Sequence, residues 1–153
     1  MYTDNSNLNY RLISKYDDKI LFKWFNSRDN LRFKLNTSFF IEYIKHKVWV
    51  TKRILSNTCD IWIIEEKGKK IGQVRIEVID TNVNIDIFVE KKLRNRGFGK
   101  KILSFAVKQS KRKWKKKISV YISKYNINSI KLFKSVGFKL KGLRKSFYIF
   151  NLE

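Results

Sequence analysis

The sequence predicts an α/β domain in which seven strands and four helices follow one another in the order β-α-α-β-β-β-α-β-α-β-β. Two observations predict this class. Residues 83–89 alternate apolar and polar side chains, which is typical of a half-buried strand, and a glycine-containing turn joins them to a helix-patterned stretch over residues 100–114. A second strand pattern over residues 118–122 precedes a helical pattern that stops at Gly137. Strands that alternate with helices in this way are typical of α/β folds.

The first elements are one strand and two helices. Residues 9–14 have the pattern of a strand, Asp17 or Asp18 is expected to cap the first helix, and Ser38 is expected to cap the second. Apolar residues at helical spacing predict the sides of these helices that face the core. In the first helix they are Ile20, Leu21, Trp24 and Phe25, and in the second they are Phe40, Ile41, Ile44, Val48 and Ile54.

A hairpin and two final strands complete the order. Residues 60–65 and 70–79 are predicted to form the hairpin, because the polar turn between them contains Gly68. The last two strands are predicted over residues 138–143 and 146–152. No repeat, linker or low-complexity segment interrupts this order.

The composition predicts one soluble, cytoplasmic domain over residues 1–153. The chain is 43% hydrophobic, yet no apolar run approaches the roughly 20 residues that span a bilayer. The first six residues lack the basic and apolar regions of a secretory signal peptide, and the single cysteine, Cys59, cannot form an internal disulfide. We therefore expect a cytoplasmic protein that binds no membrane and no metal.

The formal net charge of +22 raises the question of nucleic-acid binding. The basic run over residues 111–117 is its best local support. However, this run falls at the end of a predicted helix, where cations complement the helix dipole. The sequence also contains no pattern of a module that reads RNA or DNA. We therefore expect no specific nucleic-acid partner.

A basic turn with two glycines, Arg94-Asn95-Arg96-Gly97-Phe98-Gly99, lies between the strand and the helix. A turn of this kind directs several unpaired backbone N–H groups and the positive end of a helix at one point, which suits a diphosphate. Gly97 and Gly99 would let the backbone approach an anion without a Cβ in the way. We interpret the turn as a cofactor-phosphate loop, and simple capping of the helix is the alternative.

The loop and a second segment carry a family resemblance. The loop lacks the spacing of a P-loop and the three glycines of a dinucleotide fingerprint. Its R-x-x-G-x-G pattern resembles the acetyl-coenzyme A loop of the GNAT N-acetyltransferases, and residues 126–138 resemble the second signature of that family. The resemblance covers essentially the whole chain. It implies the GNAT fold, a mixed, mostly antiparallel sheet of about seven strands flanked by four helices, with acetyl-coenzyme A (acetyl-CoA) as cofactor.

The resemblance also implies which residues hold the cofactor. In the family, the strand before the loop splays from its neighbour, and its free backbone groups hold the pantetheine arm. Asn126 stands where the family has a cofactor-contacting asparagine, and it could equally cap the helix. The implied cofactor-binding residues are Ile87, Phe88, Val89, Arg94, Asn95, Arg96, Gly97, Phe98, Gly99, Lys100, Asn126 and Ser129.

The groups for proton transfer depart from the family pattern. Many members carry a tyrosine at the position of Phe133, and phenylalanine has no proton to give. Glu77 and His46 are the candidate catalytic residues, with a solvated carboxylate and a packed imidazole as the ordinary alternatives. The strand before the loop offers no His or Glu on its apolar face, and Asp86 on the opposite face is expected to be structural.

Three segments of the first half resemble the branch of the family that acetylates the 4-amino group of nucleotide-linked deoxyamino sugars, of the pseudaminic acid or viosamine type. They are residues 24–26 with Arg32 beyond them, residues 46–49 and residues 71–75. The arginines would suit phosphate, because a guanidinium pairs with its oxygens in a bidentate way. The candidate substrate-binding residues are Asn26, Arg32, Trp49, Gln73 and Arg75.

The charge gives an independent indication of the substrate. A protein at +22 repels polycations and attracts an anionic small molecule such as a nucleotide sugar. We therefore expect acetyl transfer to a UDP- or dTDP-linked amino-deoxy sugar by direct attack of the amine on the thioester, for glycan-precursor synthesis, in a monomer or homodimer. The alternatives are a GNAT enzyme that acts on a protein N-terminus or an aminoglycoside, and a basic module that binds CoA without catalysis.

Overall fold

The computed structural model of the chain describes residues 1–3, 7–34 and 40–153. The predicted cap Ser38 lies outside these residues. The strands are β1 (Tyr2–Thr3), β2 (Leu8–Leu12), β3 (Cys59–Glu66), β4 (Lys69–Ile79), β5 (Asn82–Val89), β6 (Ile118–Ser123), β7 (Lys139–Arg144) and β8 (Phe147–Leu152). The α-helices are α1 (Asp18–Phe25), α2 (Arg28–Leu31), α3 (Tyr43–Ile54), α4 (Phe98–Lys113) and α5 (Ile127–Ser135).

The strands form one sheet in the order β1-β2-β3-β4-β5-β6-β8-β7. Neighbouring strands are antiparallel except β5 and β6, which are parallel. Helix α4 makes the crossover that a parallel pair requires. This arrangement confirms the predicted α/β class and the mixed, mostly antiparallel sheet. The unpredicted elements are β1, which pairs with β2, and the short helix α2.

Helices cover both faces of the sheet. On one face, α4 buries Ile102 and Ala106 against the strands. On the other face, α1 buries Leu21 and Trp24, and α3 buries Val50. Strand β5 contributes alternate side chains to the two faces, since successive residues of a strand point to opposite sides. None of the described helices is long and apolar enough to cross a membrane.

The apolar stripe predicted for the second helix, α3, is wrong. Ile44 and Val48 are 76% and 52% exposed, whereas His46 and Val50 are buried. The side of α3 that packs on α1 and β3 carries an imidazole, so apolar character alone indicated the wrong side. The exposed members of the predicted stripe are Phe40, Ile44, Val48 and Ile54.

A buried carboxylate ties the start of α1 to the sheet. The oxygens of Asp17, which is 1% exposed, accept hydrogen bonds from Arg11 of β2 at 2.8 and 2.9 Å and from Lys70 of β4 at 2.7 Å. The backbone N–H of Ser14 donates a further hydrogen bond at 2.9 Å. Burial alone would raise the pKa of Asp17, but these hydrogen bonds hold it well below its usual range. Such a carboxylate stabilises the fold above the pKa of the unfolded chain.

Replacing Asp17 with asparagine is expected to lower the free energy of unfolding by about 3 kcal/mol at pH 7, because Arg11 and Lys70 lose their charge partner. The loss is expected to shrink as the pH falls below about 4, the pKa of an unfolded aspartate, because the unfolded wild type then binds a proton that the folded Asp17 does not. Urea unfolding at pH 7 and pH 3 measures both effects.

The control is Glu153→Gln, which removes an exposed ion pair with Lys141 and is expected to change the stability little at either pH. A loss for Asp17→Asn that is equal at pH 7 and pH 3 would contradict the electrostatic role of Asp17.

Candidate active site

Strands β5 and β6 separate soon after they begin. Among the described residues, Val83 and Ile118 are the one register pair that joins the two strands, and the N–H of Val83 donates to the carbonyl of Lys117 at 2.8 Å. Strand β5 stays paired with β4 up to Val89, whereas β6 pairs with β8. The side of β5 that faces β6 is therefore open beyond residue 83, and residues 87–89 lie along this gap.

The turn after β5 presents backbone N–H groups at the start of α4. Asn95 and Gly97 have positive φ angles of 62° and 82°, and α4 begins at Phe98. A Cβ on Gly97 would meet no atom within 4 Å, and the side chains of Arg96 and Lys100 are exposed. The first N–H groups of a helix have no partner within the helix and bind anions readily. The turn therefore fits a pyrophosphate.

Three residues of the predicted loop have contacts within the protein. The Nε of Arg94 donates to a backbone carbonyl of β5 at 2.9 Å, and its Nη1 donates to Asp29 at 3.1 Å, so this guanidinium holds the loop against β5 and α2. The side chain of Phe98 is buried in the core, which leaves its backbone for a ligand. Gly99 is needed for packing, because a Cβ there would lie 3.2 Å from Leu132 of α5.

The start of α5 combines a helix cap with a free amide. The Oδ1 of Asn126 accepts a hydrogen bond from the N–H of Ser129 at 3.1 Å, so Asn126 caps α5. Its amide nitrogen makes no hydrogen bond with the described residues and can donate to a cofactor. Phe133 is 3% exposed and packs edge-on against Phe138, with ring centroids 5.0 Å apart. Position 133 is thus part of the core.

A cavity that is open to solvent on one side lies on the face of the sheet that α1 and α3 cover, and its empty volume of about 310 Å³ includes part of that solvent. We call it the aromatic cavity because its walls include Trp24 and Phe25 of α1 and His46 and Trp49 of α3. The imidazole stacks on Trp49 with ring centroids 5.7 Å apart and lies 5.9 Å from the ring of Phe25. Concave sites with aromatic walls and a few polar groups are typical of small-molecule pockets.

The charged side chains of the aromatic cavity form one ionic cluster. Arg75 of β4 lies opposite Asp86 of β5 in register, with its Nη2 3.6 Å from the carboxylate, and the Nζ of Lys34 lies 3.7 Å from the same carboxylate. Burial alone would raise the pKa of Asp86, but Lys34 and Arg75 hold it below its usual value. Burial lowers the pKa of Lys34. The described lining therefore has two cationic side chains for one carboxylate.

Four of the predicted site residues come together in the aromatic cavity. They are His46, Trp49, Gln73 and Arg75. They belong to two segments of the sequence, residues 46–49 and 71–75. The segments meet because α3 packs on β3 and its Trp49 contacts Arg75 of the neighbouring strand β4.

Three predicted residues lie outside the described lining of this cavity. Both polar groups of the Asn26 amide bind the backbone of Ile41, at 3.0 and 3.1 Å. Arg32 is exposed. Glu77 pairs with Arg53 at 2.5 Å, so its carboxylate has a structural partner.

Asp86 lines the cavity, and its ion pairs with Lys34 and Arg75 are consistent with the structural role that was expected for it. Because helices cover both faces of the sheet, the side of β5 opposite its main apolar run is enclosed as well. The sequence contains one indication that this side is enclosed. Phe88, a large apolar residue, lies on the same side of β5 as Asp86.

A second cavity, with about 560 Å³ of empty volume, shares Trp24 with the aromatic cavity. It lies beside Phe88, whose ring centroid is 5.5 Å from that of Trp24. We call it the basic cavity, because its described lining has four cationic side chains and two carboxylates. They are Lys23, Arg28, Lys91 and Arg94, with Asp29 and Glu90.

Solved structures with the same fold cover nearly the whole chain. A domain from Methanocaldococcus jannaschii DSM 2661 is 28% identical, with a TM-score of 0.82 over 95% of this chain and 98% of that chain. Spermidine N-acetyltransferase from Vibrio cholerae, in complex with CoA and spermine, is 17% identical, with a TM-score of 0.83 over 96% and 94%. The aminoglycoside acetyltransferase AAC(6')-Ib, in complex with coenzyme A, is 16% identical, with a TM-score of 0.80 over 95% and 94%.

A search of the curated proteins found no match. The family model described as "Acetyltransferase (GNAT) domain" matches residues 57–140, which is more than half of the chain. The matched range contains the splayed strand β5, the phosphate-loop turn and the capped helix α5. The chain therefore belongs to the GNAT family and is an acetyl-CoA-dependent N-acetyltransferase.

Proposed function

We propose that this enzyme acetylates the 4-amino group of an amino-deoxy sugar that is linked to UDP or dTDP. The proposal rests on the aromatic cavity, which combines four ring systems with Lys34, Arg75 and Asp86. Aromatic rings cover the apolar face of a sugar, and the polar groups match its hydroxyls and amine. The cavity lies on the face of β5 opposite α4, so an acceptor can reach the gap beside β5 from the side of α1 and α3.

The cofactor is assigned to the gap and to the turn that follows it. Residues 87–89 lie along the gap and take the pantetheine arm, while the N–H groups at Gly97 and the start of α4 take the pyrophosphate. The exposed side chains of Arg96 and Lys100 and the free amide of Asn126 supply further donors. Acetyl-CoA, when bound here, supplies the acetyl group as a thioester.

We assign Asp86 to orient the attacking amine. Asp86 lies two residues before Phe88, about 7 Å along the strand, and so it is close to the segment assigned to the thioester arm. Its carboxylate, kept ionised by Lys34 and Arg75, can accept a hydrogen bond from an amine N–H. A sugar amine next to electron-withdrawing oxygens is less basic than an alkyl amine. More of it is unprotonated at pH 7, which reduces the need for a strong base.

The charge distribution favours an anionic acceptor. Cations outnumber carboxylates in the described lining of both cavities, and the whole chain carries +22. A nucleotide sugar brings two phosphates, which the basic cavity can attract, whereas spermidine and aminoglycosides are polycations that the same charges repel. Two of the structurally similar enzymes are named for spermidine and for aminoglycosides. Both kinds of acceptor are therefore expected to be poor substrates of this enzyme.

The purified enzyme is expected to release free thiol from acetyl-CoA with UDP- or dTDP-linked 4-amino sugars, and to release little with spermidine, an aminoglycoside or a basic peptide. A thiol-reactive dye measures the rate for each acceptor. A comparable kcat/KM for spermidine would contradict the proposed substrate class. Binding of CoA without turnover of any amine would indicate a module that binds the cofactor and lacks catalysis.

Replacing Gly97 with alanine is expected to raise the KM for acetyl-CoA about tenfold, because the new Cβ strains the left-handed backbone at the anion site. The KM for the sugar nucleotide is expected to stay the same. Steady-state kinetics with each substrate varied in turn separates the two constants.

Gly68 offers a matched control in the β3–β4 turn. It has a φ of 75°, and its added Cβ would also meet no atom within 4 Å, so Gly68→Ala carries similar backbone strain far from the loop in the chain. Gly68→Ala is expected to leave the KM for acetyl-CoA unchanged. Equal effects of the two substitutions on this KM would overturn the assignment of the phosphate loop.

A further inference from the structure

Two buried polar atoms in the aromatic cavity have no hydrogen-bond partner among the described residues. They are Nε2 of His46 and Nε of Arg75. Buried polar groups are nearly always hydrogen-bonded, because an unsatisfied one destabilises the protein. A ligand in the cavity that forms hydrogen bonds with both atoms would explain why neither has a partner within the described part of the protein.

The environment of His46 makes Nε2 a hydrogen-bond acceptor. The side chain is 2% exposed and is surrounded by the rings of Phe22, Phe25 and Trp49, with centroids 5.5 to 5.9 Å away. Burial lowers the pKa of His46 more than the backbone hydrogen bond at Asp18 raises it, so the ring is neutral at pH 7. We place the ring proton on Nδ1, on the side of the Asp18 backbone, and Nε2 then keeps its lone pair.

The environment of Arg75 leaves a donor beside the same aromatic wall. Its guanidinium carbon lies 5.7 Å from the centroid of the Trp49 ring, and its Nη2 lies 3.6 Å from Asp86. The charge of Arg75 is therefore matched by Asp86. The Nε of Arg75 lies 3.7 Å from the carboxylate of Glu77, beyond hydrogen-bond distance, so its N–H makes no hydrogen bond with the described residues. The cavity thus presents one acceptor and one donor, and the ring of Trp49 contacts the residues that carry both.

We propose that the aromatic cavity selects the acceptor sugar by one ring hydroxyl, which donates to Nε2 of His46, and by one oxygen, which accepts from Nε of Arg75. This inference rests on the proposed function and names the sugar groups that the cavity recognises. Trp49 packs against the apolar face of the sugar ring, and Asp86 orients the amine. A flexible polyamine has no oxygen to accept from Nε of Arg75 and would leave that donor unpaired.

The test compares two substitutions of His46 with a control on the other face of the sheet. Phenylalanine keeps the ring and removes the acceptor, whereas glutamine keeps an acceptor oxygen near the position of Nε2. Trp62 is the control, because its Nε1 is also buried without a partner but packs against Phe105 of α4. His46→Phe is expected to raise the KM for the sugar nucleotide about tenfold and to leave that for acetyl-CoA unchanged. His46→Gln is expected to stay within about threefold of wild type, and Trp62→Phe to have no effect.

Deoxy analogues of the sugar identify the hydroxyl. In the wild type, removal of one ring hydroxyl is expected to lower kcat/KM about tenfold. In His46→Phe the same removal is expected to cost nothing further, because the partner of that hydroxyl is already gone. Thermal unfolding checks that the variants fold.

Kinetics and a calorimetric binding titration together distinguish the proposed substrate class from the proposed recognition by His46. Turnover of the sugar nucleotide with an unchanged KM in His46→Phe would overturn the role of His46 and leave the proposed function standing. Binding of the sugar nucleotide without turnover, weakened in His46→Phe, would support the recognition by His46 and overturn the proposed function. The absence of both binding and turnover in the wild type would overturn both.

Discussion

The register pair between Val83 and Ile118 is the constraint on which the site depends. A parallel pair that continued along β5 would use the outer backbone groups of residues 87–89 in the sheet and close the gap. Because β6 instead pairs with β8 along its length, the end of β5 is paired with β4 on one side and, in the part of the chain that the structure describes, has no neighbouring strand on the other. The antiparallel pairing with β4 holds this free edge rigid, which is what a reactive thioester requires from its support.

The second requirement is a wall on each side of β5. The alternation of the strand sends Val83 and Ile85 to the core under α4, and sends Asp86 and Phe88 to the face under α1 and α3. One strand therefore lies between the gap that is assigned to the cofactor and the cavity that is proposed for the acceptor. The aromatic rings and the ionic cluster occupy the acceptor face because α1 and α3 leave room there between their buried residues and β4.

The fold and the cofactor turn were predictable because they depend on neighbours in the chain. The alternation over residues 83–89 and the stop at Gly137, which has a φ of 96°, are local signals, and both elements form where the sequence placed them. The aromatic cavity was predicted only in part, because its lining comes from separate elements whose contacts depend on packing. The error at α3 has a related cause. Its buried side was inferred from apolar character, whereas the enclosed side carries an imidazole.

Arg94 joins the turn that is assigned to the cofactor to the basic cavity that is proposed for the acceptor. Its guanidinium holds the backbone of β5 beside the gap and the carboxylate of Asp29 in α2, and both Arg94 and Asp29 line the basic cavity. A substitution at position 29 that adapted the basic cavity to a new acceptor would therefore also release the turn that is assigned to the pyrophosphate. On the proposed assignments, a change of acceptor specificity at Asp29 is thus constrained by cofactor affinity.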